Sequence, residues 1–317
     1  MRHVLLALSV FCLLLATYVV VVHLPEITGS DKEVTHTPGP DLSDYFAEKG
    51  TALLAAATDF NQILTQGNVL GISDEKEKTS EKASGNNVEE INNIKHANPL
   101  PKKSEYIIAV LGDSMVDTLG PSLPHLLNAL KVRLPKVNFK LLNYGAGATN
   151  IESGLSRLTN DYSYLGENKP ALLSQNPDIV VIESFAYNHW DNTQADWDRQ
   201  WLAIAHIIDT IKEHNPDTQI VLSAAVAPFC PTYTDGSANL PPERKFVECD
   251  TVKRYLQNIV NFAKGEGYLL ADAFHPSMKG SEGNPLYINQ SDHIHPSNEG
   301  KTLFSSYVVE AIKQLIP

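Results

Sequence analysis

Lysine and arginine are scarce in this chain. They number 25 against 37 aspartates and glutamates in 317 residues, which leaves a formal net charge of -12. So acidic a balance lacks the clustered cations that a phosphate backbone requires, and it argues against nucleic acid as a partner. Cysteine is also scarce, at three residues. Cys12 has no lipobox before it, so lipidation is not expected. Cys230 and Cys249 share one loop-rich stretch. An oxidising compartment permits a disulfide between them; the other reading is two unrelated buried thiols, and spacing alone does not choose. There is no internal repeat. What the chain does have is a 43% hydrophobic content, sufficient for the core of one large domain, alone or with appendages.

One long apolar run is present, Val4 to Val22, and it is uncharged. At about 1.5 Å per residue it spans roughly one hydrocarbon core. Arg2 precedes it, while Glu26 and Asp31 follow, a polarity that leaves the N-terminus in the cytoplasm and the rest outside. Its length and the lack of a small-x-small cleavage site favour an uncleaved signal-anchor (1–23) over a cleaved signal peptide. Either reading exports the body of the chain: membrane-anchored if the segment stays, secreted if it is removed.

Residues 24–103 read as a linker. Tyr45, Phe46, Leu53, Leu54, Ala57, Phe60 and Leu64 recur at helical spacing, which predicts one amphipathic helix over 45–66, suited to docking or to self-association. The pattern leaves the oligomeric state open. Residues 72–104 are rich in Lys, Glu, Asn and Ser and hold too little apolar surface to order themselves. From 104 to 317 the texture changes. Continuous apolar, strand-forming runs lie at Tyr106–Leu111, Phe139–Asn143, Ile179–Glu183, Ile220–Ala225 and Tyr268–Ala271. Helical patterns fall between and after them, near 120–134, 151–159, 194–214, 250–265 and 297–315. Strand–helix alternation with apolar strands predicts a parallel five-stranded sheet covered on both faces, with its site at the carboxyl ends of the strands.

Polar residues follow those strand ends. Gly112-Asp113-Ser114-Met115 comes after the first, and a serine there is either a nucleophile or a helix cap. No Gly-x-Ser-x-Gly elbow surrounds Ser114. Asn143-Tyr144-Gly145-Ala146-Gly147-Ala148 follows the second strand; small residues let backbone N–H groups approach a ligand, or simply make a tight turn. Asn188 follows the third, as an amide donor or a turn residue. Asp292-His293-Ile294-His295 precedes the last helix, a carboxylate and an imidazole able to share a face. Trp190, Trp197 and Trp201 cluster after Asn188; the i,i+4 spacing of the latter two favours core packing over a sugar platform. The aperiodic stretch Pro228–Glu248 predicts a pocket-shaping loop.

These four blocks, in this order over residues 104–317, resemble the SGNH (GDSL-type) hydrolase family. The resemblance implies a three-layer α/β/α sandwich of flavodoxin-like order. It implies Ser114 as nucleophile, His295 as general base and Asp292 as its orienting partner. Ser114 N–H, Gly147 N–H and the Asn188 side chain are the implied oxyanion donors; the family glycine falls at Gly147 or Ala148, and Gly147 is preferred. Met115 stands for the family leucine, and Ala186-Tyr187-Asn188-His189 for Gly-x-Asn-Asp, with bulkier neighbours around the kept asparagine. No metal or other cofactor is implied, because the family reading accounts for Asp292 and His295 without one. The expected activity is hydrolysis of carboxylic esters, O-acetyl or other short acyl, on a glycan or a small ester. Acyl transfer to a sugar hydroxyl by the same site, and a non-catalytic glycan-binding module, are the alternatives.

Overall fold

Five parallel strands form the central sheet. They are β1 (Glu105–Gly112), β2 (Asn138–Gly145), β5 (Ile179–Glu183), β6 (Gln219–Ala224) and β7 (Leu269–Asp272), in the order β2-β1-β5-β6-β7. The computed structural model describes residues 94–317. The expected Val4–Val22 span and 45–66 helix lie outside the described residues. Among the described residues no helix is long and apolar enough to cross a membrane.

Strands β1, β5 and β6 form where the sequence is apolar and β-branched, and they are covered on both faces. Every residue of β5 and β6 is buried. Burial of each such Val or Ile side chain contributes about 1.5–3 kcal/mol. Helices α2 (Pro124–Arg133) and α6 (Asn298–Ile312) pack together, as do α3 (Ile151–Thr159), α4 (Gln194–His214) and α5 (Pro242–Glu266). Three of these have side-chain caps that explain their starts: Asn150 accepts from Ser153 N–H and Ser297 from Gly300 N–H, both at 3.1 Å, and Thr193 from Asp196 N–H at 3.3 Å. The order of the sheet reverses at β1, where successive connections run first to β2 and then to β5. Open α/β sheets place ligand sites at the carboxyl ends of the strands beside such a reversal.

The expected sheet and helices 151–159 and 194–214 are found at those bounds or within a residue or two. Helix α5 starts at Pro242, earlier than the expected 250. Proline suits the first helical turn, and the early turns face solvent (Phe246 is 49% and Val247 60% exposed), so no apolar period announces them. A small hairpin, β3 (Tyr162–Tyr164) and β4 (Glu167–Lys169), was not expected. Cys230 and Cys249 form a disulfide, with Cα atoms 5.4 Å apart, which fastens the 226–241 loop to α5.

Candidate active site

Sharp turns deliver the polar residues. At the end of β1, Gly112 is pressed between its neighbours: a Cβ there would lie 2.3 Å from Val116 Cγ2 and 2.9 Å from Glu183 Cβ. Asp113 then caps the four-residue helix α1 (Ser114–Asp117) by accepting the Met115 N–H at 2.8 Å. Ser114 is the first residue of that helix. The end of β2 packs directly beneath it, since a Cβ on Gly145 would lie 2.2 Å from Asp117 N. Asn143 staples the two segments. Its amide donates to Val116 O at 3.1 Å and Gly120 O at 2.9 Å, and its oxygen accepts Gly145 N–H at 2.7 Å. The turn after β2 brings Gly147 against the serine, with its virtual Cβ 3.8 Å from Ser114 Cβ. The Gly147 N–H donates to the Tyr164 hydroxyl at 2.8 Å.

The third strand end is built around a buried carboxyl. Glu183 Oε2 accepts the Phe185 N–H at 2.8 Å, and its other oxygen accepts the Ser184 hydroxyl. Phe185 takes a left-handed conformation (φ 53), costly for a bulky residue, and a short 3-10 turn, Ala186–Asn188, follows. That geometry aims Asn188 at β1, where its Nδ2 donates to Asp113 Oδ2 at 2.9 Å. One of the two Nδ2 hydrogens is thereby used.

Asp292 and His295 meet in a tight loop. Asp292 Oδ1 accepts the Ile294 and His295 N–H groups, both at 2.9 Å, and Oδ2 lies 3.1 Å from His295 Nδ1. Asn289 Nδ2 adds a bond to Oδ2 at 3.2 Å. His293 is left-handed (φ 52), which turns the chain between the pair. The disulfide-anchored loop supports this arrangement: Thr234 N–H donates to His293 O at 3.3 Å and the Ser237 hydroxyl to Asp292 O at 3.0 Å. With Nδ1 committed to the carboxylate, Nε2 is the imidazole atom left for proton transfer.

Electrostatics ties the pieces together. Burial pushes the Asp113 carboxyl up; the Asn188 and Met115 hydrogen bonds and the charges of His295 and Arg157 pull the other way. Burial also pushes Asp292 up, but the His295 and Ile294 N–H groups, with the His295 ring, hold it below the ordinary carboxylate range. Arg157, 3% exposed, donates from Nη2 to Gly112 O at 3.0 Å and supplies a buried positive charge beside Asp113 and Asp117.

Burial, then the Asp113 charge, pushes Glu183 up to about 8 from 4.5. Between those values the folded chain binds more protons than the unfolded one. The contribution of Glu183 to stability is therefore complete below pH 4.5 and lost as pH rises through about 8. Glu183→Gln is expected to flatten the decline of Tm across that window. Thermal unfolding of both proteins at several pH values checks this, and an equal decline in the variant assigns it to another group.

Trp197 and Trp201 pack against the core, Trp201 edge-on to Phe262 at 4.8 Å. Trp190 carries the Arg199 guanidinium 4.1 Å from its ring centre. Cys230, Cys249 and Glu282 lie close together, but both sulfurs are bonded to each other and offer no thiolate to a metal. Sequence reasoning missed four residues of the site: Asn143, Arg157, Tyr164 and Glu183. Only Asn143 had a local signal, its place at the mouth of the small-residue turn.

The GDSL-like lipase/acylhydrolase family model matches residues 110–303. No curated protein matches the chain. Among solved structures, a GDSL-like lipase from Bacteroides thetaiotaomicron is similar at 18% identity and TM-score 0.47, over 68% of this chain and 91% of that one. A lipase/acylhydrolase from Enterococcus faecalis is similar at 17% identity and TM-score 0.47, over 66% and 95%. An acetyl-xylooligosaccharide esterase mutant from Geobacillus Stearmophilus is similar at 17% identity and TM-score 0.43, over 65% and 94%.

Proposed function

The chain belongs to the GDSL-like lipase/acylhydrolase family, a family of ester-hydrolysing enzymes, and we propose that it cleaves short acyl esters with Ser114 as the nucleophile. The observation that carries this reading is the Asp292–His295 pair, in which Asp292 Oδ2 lies 3.1 Å from His295 Nδ1 and holds the imidazole in one orientation. His295 Nε2 takes the Ser114 proton as Oγ bonds to the ester carbonyl carbon. Ser114 N–H, the second Asn188 amide hydrogen and the Ala148 N–H receive the negative charge on oxygen; the expected Gly147 N–H is already donated to the Tyr164 hydroxyl at 2.8 Å. The carbon–oxygen bond to the alcohol breaks, and His295 returns its proton to that leaving oxygen. Water then attacks the acyl-enzyme, giving one proton to His295, and the acid departs as Ser114 regains its own.

The acyl group is proposed to be short. The Tyr164 hydroxyl and Asp117 Oδ2 would lie 3.0 and 3.9 Å from a methyl on Gly147, so the turn beside Ser114 presents polar atoms rather than apolar surface to a long alkyl chain. The alcohol is proposed to be a sugar of an acylated glycan. The domain is proposed to work outside the cytoplasm, tethered by the Val4–Val22 segment. The Cys230–Cys249 bond supports that compartment, since disulfides persist where conditions oxidise.

The test is hydrolysis by the full chain of p-nitrophenyl esters from acetate to octanoate, followed by release of acetate from acetylated polysaccharides. Acetate is expected to exceed octanoate in kcat/KM by about 100-fold or more, the discrimination expected of a site that offers a long chain no apolar pocket. A preference for octanoate would contradict the short-acyl reading.

A further inference from the structure

The Tyr164 hydroxyl joins the 162–169 hairpin to the helix that Ser114 opens. The Tyr164 hydroxyl accepts the Gly147 N–H at 2.8 Å and donates to Asp117 Oδ2 at 2.8 Å. Asp117 closes the short helix that Ser114 opens, and Gly147 stands in the turn that follows β2. The phenol therefore links the nucleophile's helix to the small-residue turn. Buried Arg157 lies behind this corner, and its charge acts on Asp117 and Tyr164 as well as Asp113. At the hairpin's other end Lys169 Nζ donates to Asn143 O at 3.3 Å, and its ammonium lies 6.0 Å from the Tyr164 ring centre.

The turn needs such a fastening. Gly145-Ala146-Gly147-Ala148 carries no side chain beyond a methyl, so its backbone has little to hold it except hydrogen bonds. Ala146 N–H is held by Gly112 O at 3.2 Å and the Thr149 hydroxyl by Ala146 O at 2.6 Å. Between these, Gly147 is held by Tyr164, and Ala148 stands in the left-handed region (φ 56). A donor helps a developing oxyanion only if it is already aimed before the reaction; one that must be reoriented loses most of its worth.

We propose that Tyr164 is a positioning residue for the reaction. By engaging the Gly147 N–H and Asp117 together, it fixes the turn relative to Ser114 and aims the next N–H, that of Ala148, at the oxyanion. This assignment rests on the reading of Ser114 as nucleophile. Its hydroxyl is engaged by Gly147 and Asp117, and its assigned role runs through them.

Tyr164→Phe in the full chain is expected to lower kcat on p-nitrophenyl acetate by about 10- to 100-fold while KM moves less than about threefold. Asp117→Ala is expected to do the same, and the double variant to be no worse than either within about twofold, because both remove one clamp. Asp117→Asn keeps an acceptor for the phenol and is expected to fall less far than Asp117→Ala. An unchanged kcat in Tyr164→Phe, or multiplying losses in the double variant, overturns the proposal. A raised kcat overturns it too, and shows that the phenol obstructs Gly147. Amide hydrogen exchange at Gly147 reads the clamp without any ester: it is expected to be slow in the wild type and faster in Tyr164→Phe. A wild type inert towards every ester but with that exchange difference would sink the Ser114 reading and leave the clamp standing. Equal exchange in the two proteins would sink the clamp.

Discussion

Replacing Ser114 by alanine is expected to lower kcat/KM for short esters by about 10⁴-fold or more, with the fold intact. The size follows from what is removed. Without Oγ no acyl-enzyme forms, and what remains is water attacking a bound ester with help from the oxyanion donors and His295 alone. The side chain is small and sits at the first position of a four-residue helix whose cap is Asp113, so its loss costs little stability. His295→Ala is expected to cost a similar factor, and the double variant little more than either, because a nucleophile and its base act as one unit. Asp292 should tolerate change less well than its exposure suggests. It accepts two backbone N–H groups as well as the ring, so alanine there loosens the whole 289–295 loop. Steady-state kinetics beside Tm measurements separates the two effects.

Asn188→Ala is expected to lower kcat by about 100- to 1,000-fold with KM nearly unchanged, the usual consequence of deleting one oxyanion donor. The argument is geometric. Asp113 is wholly buried and takes one Asn188 hydrogen at 2.9 Å, which fixes the amide plane and leaves the other hydrogen for the reaction. Asn188→Asp makes a sharper probe. It sets a second carboxyl against Asp113 Oδ2, two like charges cannot both persist there, and one group must keep a proton. Activity is expected to fall at least as far as in the alanine variant and to depend on pH in a new way. A kcat within a few-fold of wild type in Asn188→Ala would reduce Asn188 to a support for Asp113.

Much of this was legible in the sequence because it is local. Buried parallel strands are continuous apolar runs, so Tyr106–Leu111 and Ile179–Glu183 declare themselves. Gly112-Asp113-Ser114 and Asp292-x-x-His295 each carry their geometry within a few residues. The hairpin was not legible: three-residue strands are too short for a period, and Tyr164 matters through partners distant in sequence, Asp117 and Gly147. Arg157 on helix α3 reads as a surface charge; only the sheet packed against it makes it a buried one. Glu183 was visible as the last residue of a strand, but its burial beside Asp113 depends on β1 and β5 being neighbours. The early start of α5 was hidden because its first turns face water on most sides.

The central claim is that Ser114 is the acylated residue, and covalent labelling tests it most directly. The full chain treated with a fluorophosphonate, then digested and mapped by mass spectrometry, is expected to carry one label, on Ser114. Ser114→Ala is expected to carry none, and His295→Ala to label far more slowly than wild type. A label on another residue, or equal labelling of Ser114→Ala and wild type, would contradict the account.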